Sequence, residues 1–332
     1  MCTALTFGDQ DLYFGRTLDH TGSYGEAVIV TPRRFPLPFR HLEAVEDHYA
    51  IIGIGCVRDG FPLYYDGINE KGLAMAGLNF VESACYGKPQ PDRENVAQFE
   101  LLPWILAACA TVEEAKLRLQ SVCVTDTAFS AEIPPAKLHW LIADSAEAVV
   151  LEVMADGVHL HPNPVGVLTN EPPFPLQMFS LNNYMHLSAH MPKNRFSDHL
   201  PLKAYSKGMG GLGLPGDLSS QSRFARAAFF KCNAEPGETG AEKLEQFFHL
   251  LDTVKMPRGC CRAEDGTAEY TLYQCCYHGS ACYYTTYETR QIRAVELRQE
   301  ALDGDGLLSY PLEREEQIAR APAELRNDTQ MR

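Results

Sequence analysis

The stretch "MCTALTFGDQDLYFGRTLDH", residues 1–20, decides how the chain begins to fold and poses its main chemical question. Two runs rich in apolar, aromatic and β-branched residues, "CTALTF" and "DLYFGRTL", are separated by "GDQ". That spacing predicts two strands joined by a hairpin turn, with Arg16 and Asp19 brought beside Cys2. Two readings of Cys2 stay open. It is a small hydrophobe at the start of an edge strand, or, if Met1 is removed, one residue bearing both a thiol and the free α-amino group.

Beyond the hairpin the strand pattern continues through "EAVIVTP", "YAIIGIGCV" and "GLAMAGLNF". The last two are nearly all apolar and so should be covered on both faces. Two helices follow, one in "AQFELLPWILAACA" and one opened by "TVEE", where Thr111 and Glu114 have capping-box spacing. Strands resume at "KLHWLIAD", "AVVLEVM", "GVHLHP" and "VGVLTN". Pro-rich and polar loops are expected from Glu171 to about Gly216. Helices in "SSQSRFARAAFFKC" and "TGAEKLEQFFHLLDTV" come next, the latter with Thr239 and Glu242 as a second capping box. Three strands, "AEYTLYQCCY", "ACYYTTYE" and "TRQIRAVEL", precede a tail that, after about Glu313, should be a peripheral helix or frayed. Helices segregated from blocks of hairpin-linked strands predict a single α+β domain over residues 1–332, two stacked antiparallel sheets with helical layers outside.

The composition narrows function. A formal charge of −14 argues against nucleic acid or an anionic membrane surface as the main partner. The start lacks the basic and apolar regions of a signal peptide, and the longest apolar run, "LLPWILAACA", is far too short to span a bilayer. A cytoplasmic location and free thiols are expected for the 11 cysteines. Cys260, Cys261, Cys275, Cys276 and Cys282 fall largely in a hairpin pattern as adjacent pairs, which points to core packing ahead of metal ligation. No phosphate-binding loop, H-E-x-x-H or G-x-S-x-G is present, and "GLGLPG" at Gly211–Gly216 follows no apolar strand. His159 and His161 would share one face of a strand, in a surface or core role. Neither a metal nor a cofactor is expected.

Cys2 remains as the candidate for chemistry. With Met1 removed, an α-amine of pKa about 7.7–8 would sit beside a thiol of about 8.5, so one residue supplies nucleophile and general base. Such a group needs a cation, a carboxylate and donors for an oxyanion. Arg16 and Asp19 are three apart and would face opposite sides of a regular strand, so Asp19 is expected at the strand end, where the chain turns. Taken alone, such a pair is usually a surface ion pair worth about 0–1 kcal/mol.

The motifs "MCTALTF…YFGRTLD", "YDGINEKGLAMAGLNF", "VLTNEPPF", "GLPGDLSSQSRFAR" and "YTTYETRQIRAVEL" run in order along almost the whole chain. In them the sequence resembles the choloylglycine hydrolase family, N-terminal nucleophile hydrolases that include conjugated bile acid hydrolases and penicillin V acylases. The resemblance implies a four-layer αββα sandwich and a homotetramer. Cys2 matches the nucleophile, Arg16 and Asp19 its flanking residues, Asn79 and Asn170 the two asparagines, and Arg223 the distal arginine. One asparagine side chain and the backbone N–H after the first asparagine are expected to hold the oxyanion.

The implied reaction is hydrolysis of glycine- or taurine-conjugated bile acids through a thioester. A penicillin V or acyl-homoserine-lactone acylase is the alternative, and a non-catalytic steroid- or lipid-binding relative the more distant one. Candidate pocket walls are the loops "HTGSYGE" with Tyr24, "RDGFPLYY" with Phe61, and "AFSAEIPPAKLHW" with Ile133 and Leu138; His20 is placed near the mouth.

Overall fold

The computed structural model describes residues 1–8 and 11–321. Strands β1 (Cys2–Phe7) and β2 (Tyr13–His20) form the expected hairpin, with Cys2 opposite Leu18 and Ala4 opposite Arg16. Strands β3 (Ala27–Thr31), β4 (Ile51–Arg58), β5 (Phe61–Asn69) and β6 (Ala74–Asn79) follow as an antiparallel meander. A short parallel pair, β7 (Glu94–Ala97) and β8 (Val122–Thr125), brackets helices α1 (Leu101–Ala108) and α2 (Val112–Leu119). Next come β9 (Leu138–Ala143), β10 (Ala148–Met154), β11 (Gly157–Pro162) and β12 (Val167–Leu168). They lead into α3 (Phe174–Ser180), α4 (Ser220–Asn233) and α5 (Gly240–Asp252). The described chain closes with β13 (Cys261–Arg262), β14 (Ala268–His278), β15 (Ala281–Thr286), β16 (Arg293–Glu296), α6 (Gln299–Leu302) and β17 (Leu308–Pro311).

The first sheet has the order β12-β1-β2-β14-β15-β16, with β13 on β14; the second runs β11-β10-β9-β6-β5-β4-β3-β17. Alternation along the strands explains how the sheets stack. On the second sheet Val28, Ile52, Ile54, Ala76, Leu141 and Val150 face the first sheet, in one apolar cluster with Ala4 and Phe14. Ile29, Ile51, Met75, Trp140, Ile142 and Leu151 face the other way and pack on Trp104 and Ile105 of α1 and on α2. Helices α4 and α5 cover the far side of the first sheet through contacts with β1, β2 and β14. The result is an α+β sandwich in four layers, and the apolar strands are covered on both faces as expected.

Three local readings need correction, and a fourth is narrowed. "RDGFPLYY" is not a loop: Asp59 and Gly60 make a two-residue turn, both at positive φ (48° and 76°), and Phe61 opens β5. The Pro-rich segment after Glu171 contains α3, because prolines sit where the first turn of a helix has no N–H partner to lose. Thr111 caps α2, but Glu114 accepts from the N–H of Ala110 rather than that of Thr111, so of the two expected capping boxes the one at Thr239 and Glu242 forms. Residues 313–321 form no helix, and residues 322–332 lie outside the described part.

The cysteines of the C-terminal part divide. Cys275, Cys276 and Cys282 are wholly buried in the core, where burial pushes each thiol's pKa up, while Cys260 is exposed and Cys261 half-buried.

Candidate active site

Pairing of β1 with β2 puts Cys2 and Arg16 on the face toward the second sheet, and Thr3, Thr17 and Asp19 on the face toward α4. Cys2 is buried, with 3 % of its surface exposed. Its N–H donates to Asn170 Oδ1 at 2.9 Å, and its carbonyl accepts from Arg223 Nη1. Met1 is held above it by exchange with Asp19: the ammonium donates to Asp19 O at 2.7 Å and Asp19 N–H donates to Met1 O at 2.9 Å. The ammonium also meets Glu269. Burial, the largest cause, pulls the pKa of that ammonium below its usual value.

Arg16 is fully buried, donates through Nη1 to Gly77 O of β6 at 2.5 Å, and lies 3.8 Å from Asp66 of β5. Burial opposes its charge, but Cys2, Tyr273 and Asp66 outweigh it and raise the guanidinium pKa. Asp66 accepts from the hydroxyls of Tyr273 and Tyr277 and from Cys275 Sγ. Burial nevertheless dominates and pushes its carboxyl up. The sequence reading missed Asp66, although it stands inside the quoted "YDGINEKG". Its signal is an acid in the middle of an apolar strand, and its partners are far away in the chain.

Asp19 lies one residue inside the end of β2 and still pairs with Thr271, so it is not at a turn as expected. A bulge in β14 between Thr271 and Tyr273 reconciles the two sides. Thr271 stays opposite Asp19 and donates to its Oδ1 at 2.6 Å, while Thr17 donates to Oδ2 at 3.0 Å.

Asn79 and Asn170 meet through a hydrogen bond from Asn170 Nδ2 to Asn79 O, 2.8 Å. The expected donor after the first asparagine is occupied, because Phe80 N–H bonds Lys137 O at 2.9 Å. By the parity of an antiparallel ladder, the N–H and carbonyl of Asn79 itself then turn away from β9, toward Asn170. Its side chain falls on the sheet face opposite Leu78, Ala76 and Ala74, which point to the first sheet. Asn79 therefore presents its backbone and Asn170 its side chain. Asn170 Oδ1 also accepts from Arg223 Nη2 at 2.7 Å, leaving one hydrogen of Nδ2 uncommitted among the described residues. Arg223 reaches Leu218 O, Thr3 Oγ1, Cys2 O and Asn170, and burial lowers its pKa. It clamps the Cys2 backbone from the α4 side.

The pocket candidates separate into groups. His20 and Tyr24 lie together, with ring centroids 5.0 Å apart, and burial lowers the His20 pKa. Phe61 is buried in a small apolar cluster with Cys56, Leu63 and Phe129, on which Phe99 and Ile133 pack. Leu138 packs instead on the α1 side of the second sheet. Among the described residues no group of three or more His, Cys, Asp or Glu side chains could hold a metal.

The family model for linear amide C–N hydrolases, choloylglycine hydrolase family, matches residues 2–310. A bile salt hydrolase/transferase of Lactiplantibacillus plantarum is 48 % identical over 319 residues, 96 % of this chain and 98 % of that protein. The crystal structure of a variant of the conjugated bile acid hydrolase from Clostridium perfringens superposes with a TM-score of 0.89 at 33 % identity, covering 97 % of this chain and 100 % of that one. Penicillin V acylase from Agrobacterium tumefaciens, at 20 % identity and a TM-score of 0.72 over 93 % of this chain and 90 % of that one, shares the fold.

Proposed function

This chain belongs to the choloylglycine hydrolase family of linear amide C–N hydrolases, and from that premise we propose that it cleaves glycine- or taurine-conjugated bile acids with Cys2 as N-terminal nucleophile. One observation carries the reading. A single side chain, Asn170, touches the Cys2 nitrogen with its oxygen and faces the Asn79 backbone with its nitrogen, so nucleophile, base and oxyanion donors share one frame.

Once Met1 is removed, the Cys2 α-amine occupies the place where its N–H now meets Asn170 Oδ1, and it takes the thiol proton. The thiolate, beside the fixed charge of Arg16, attacks the amide carbonyl. The oxyanion that forms is received by Asn79 N–H and the free hydrogen of Asn170 Nδ2, each such donor being worth about 10²–10³ in rate. The C–N bond breaks as the α-ammonium returns its proton to the leaving amine. Water then hydrolyses the thioester, releasing the free bile acid and restoring the thiol.

The catalytic unit is taken as the whole of residues 1–332, working in the cytoplasm. No helix of the described residues is long and apolar enough to cross a membrane. We take the assembly to be a homotetramer. The segment after Asn170 exposes Phe179, Met185, Phe196, Tyr205 and Leu212, each more than two-thirds accessible, a larger apolar display than an isolated protomer needs.

The test is amine release from glycocholate, taurocholate and penicillin V, run beside intact-mass measurement of the N-terminus. Conjugated bile acids should be cleaved fastest by chains that begin at Cys2. Faster release from penicillin V would move the chain to the acylase alternative. Binding of a bile acid without amine release would make it a non-catalytic relative.

A further inference from the structure

Asn79 and Asn170 come from different elements, yet an oxyanion needs their two N–H groups at one fixed separation. Their direct link is one hydrogen bond. Behind it lies a further buried polar pair. His139 of β9, opposite Leu78, is wholly buried and stacks on Phe80, the residue after Asn79, with centroids 4.3 Å apart and planes 6° from parallel. Its Nε2 lies 2.8 Å from the carbonyl of Thr169, the residue before Asn170. A carbonyl only accepts, so Nε2 carries a hydrogen. Its Nδ1 is 3.1 Å from Glu152 Oε1, with one proton held between them.

Glu152 of β10 is also wholly buried. Its Oε1 accepts from Phe174 N–H at the start of α3, 2.8 Å, which fixes the far end of the Asn170 loop. Its Oε2 faces His161 Nε2 at 3.4 Å without a geometrically sound hydrogen bond. Burying an acid and an imidazole is costly, and apolar residues of the same volume commonly serve stability as well or better. Here the pair is placed where it closes two buried backbone groups, the Thr169 carbonyl and the Phe174 N–H, on either side of Asn170.

We propose that His139 and Glu152 are positioning residues of the amide cleavage, holding the Asn79 and Asn170 donors at the separation the oxyanion requires. Neither touches the substrate. His139 grips both donor segments at once, Phe80 by stacking and Thr169 by hydrogen bond, and Glu152 sets the ring's orientation and anchors the loop's exit into α3. The inference rests on the reading of Cys2, Asn79 and Asn170 given above.

The test compares the parent enzyme with the His139→Phe/Glu152→Leu double variant and with Glu152→Gln. The double variant leaves the Thr169 carbonyl and the Phe174 N–H unpaired and should lower the unfolding temperature while remaining folded, and kcat for glycocholate should fall roughly 10- to 100-fold. That is less than removal of one donor outright. KM should stay within about 3-fold, and iodoacetamide should alkylate Cys2 at the parent rate, because the nucleophile is untouched. Glu152→Gln, which keeps shape and an acceptor for Phe174, should show a smaller fall in kcat of the same kind, and it carries the test alone if the double variant does not fold. Parent kcat in the folded variants, or a loss matched by slower alkylation, would overturn the assignment. A parent enzyme that releases no amine would instead overturn the function on which it rests.

Discussion

The two faces of the second sheet are equally buried and differently built. Toward α1 and α2 the contact is made by Ile29, Ile51, Met75, Trp140, Ile142 and Leu151 against Trp104 and Ile105, with the Tyr64 hydroxyl paired to Thr31 at 2.7 Å. Toward the first sheet the same strands meet Arg16, Tyr273, Tyr277 and Cys275, and contribute Asp66. Apolar contact suffices to hold layers together. The buried Arg16–Asp66 pair lies on the side that meets Cys2, and it carries a desolvation cost that apolar contact does not.

The largest effect expected is at the nucleophile itself. Cys2→Ala should lower turnover of glycocholate by more than about 10⁴-fold, with the unfolding midpoint nearly unchanged, since only a sulfur is lost. Retained turnover in that variant would remove the chemical half of the contrast. Next comes the buried charge. Asp66→Ala leaves Arg16 without its carboxylate and should cost about 3–5 kcal/mol in urea unfolding, together with most activity. On the apolar face, Ile105→Ala should cost about 2–5 kcal/mol by leaving a cavity, yet the folded fraction should turn over at the parent rate. Loss of specific activity there would blur the distinction between the faces.

The smallest effect concerns a cation outside the site. Lys231 of α4 donates to Thr6 Oγ1 at 3.0 Å and to Val165 O, and burial lowers its pKa to about 8. Between about 8 and its unfolded value near 10.4 the unfolded chain binds the extra proton, so this residue makes stability rise with pH across that window. Subtracting the urea-midpoint curve of Lys231→Met from that of the parent isolates the slope, and activity at neutral pH should not change.

Much of this arrangement could be read from the residues. The hairpin at 2–20, the caps at Thr111 and Thr239 and the alternation in "AEYTLYQCCY" are local, and local patterns report local structure. Strand β5 escaped because Pro62 and Asp66 make "FPLYYDGIN" resemble a loop; Asp66 is tolerated only through Arg16, Tyr273 and Tyr277, which no window of sequence brings near it. The amide expected to be open after Asn79 is taken by Lys137, because which amide faces a neighbour depends on ladder parity with β9. The bulge in β14 that sets Thr271 opposite Asp19 is likewise invisible in a local window.

The enclosure of the first peptide has a practical meaning for anyone engineering the gene. Cys2 N–H is closed in by Asn170, and the space beyond it is filled by one methionine bridged to Asp19. A purification handle fused ahead of Met1 would have to thread out past Glu269 and would keep that nitrogen an amide, unable to accept a proton. Useful fusions should therefore be appended downstream, and an upstream tag becomes a switch, silent until a protease cuts it back to the sulfur.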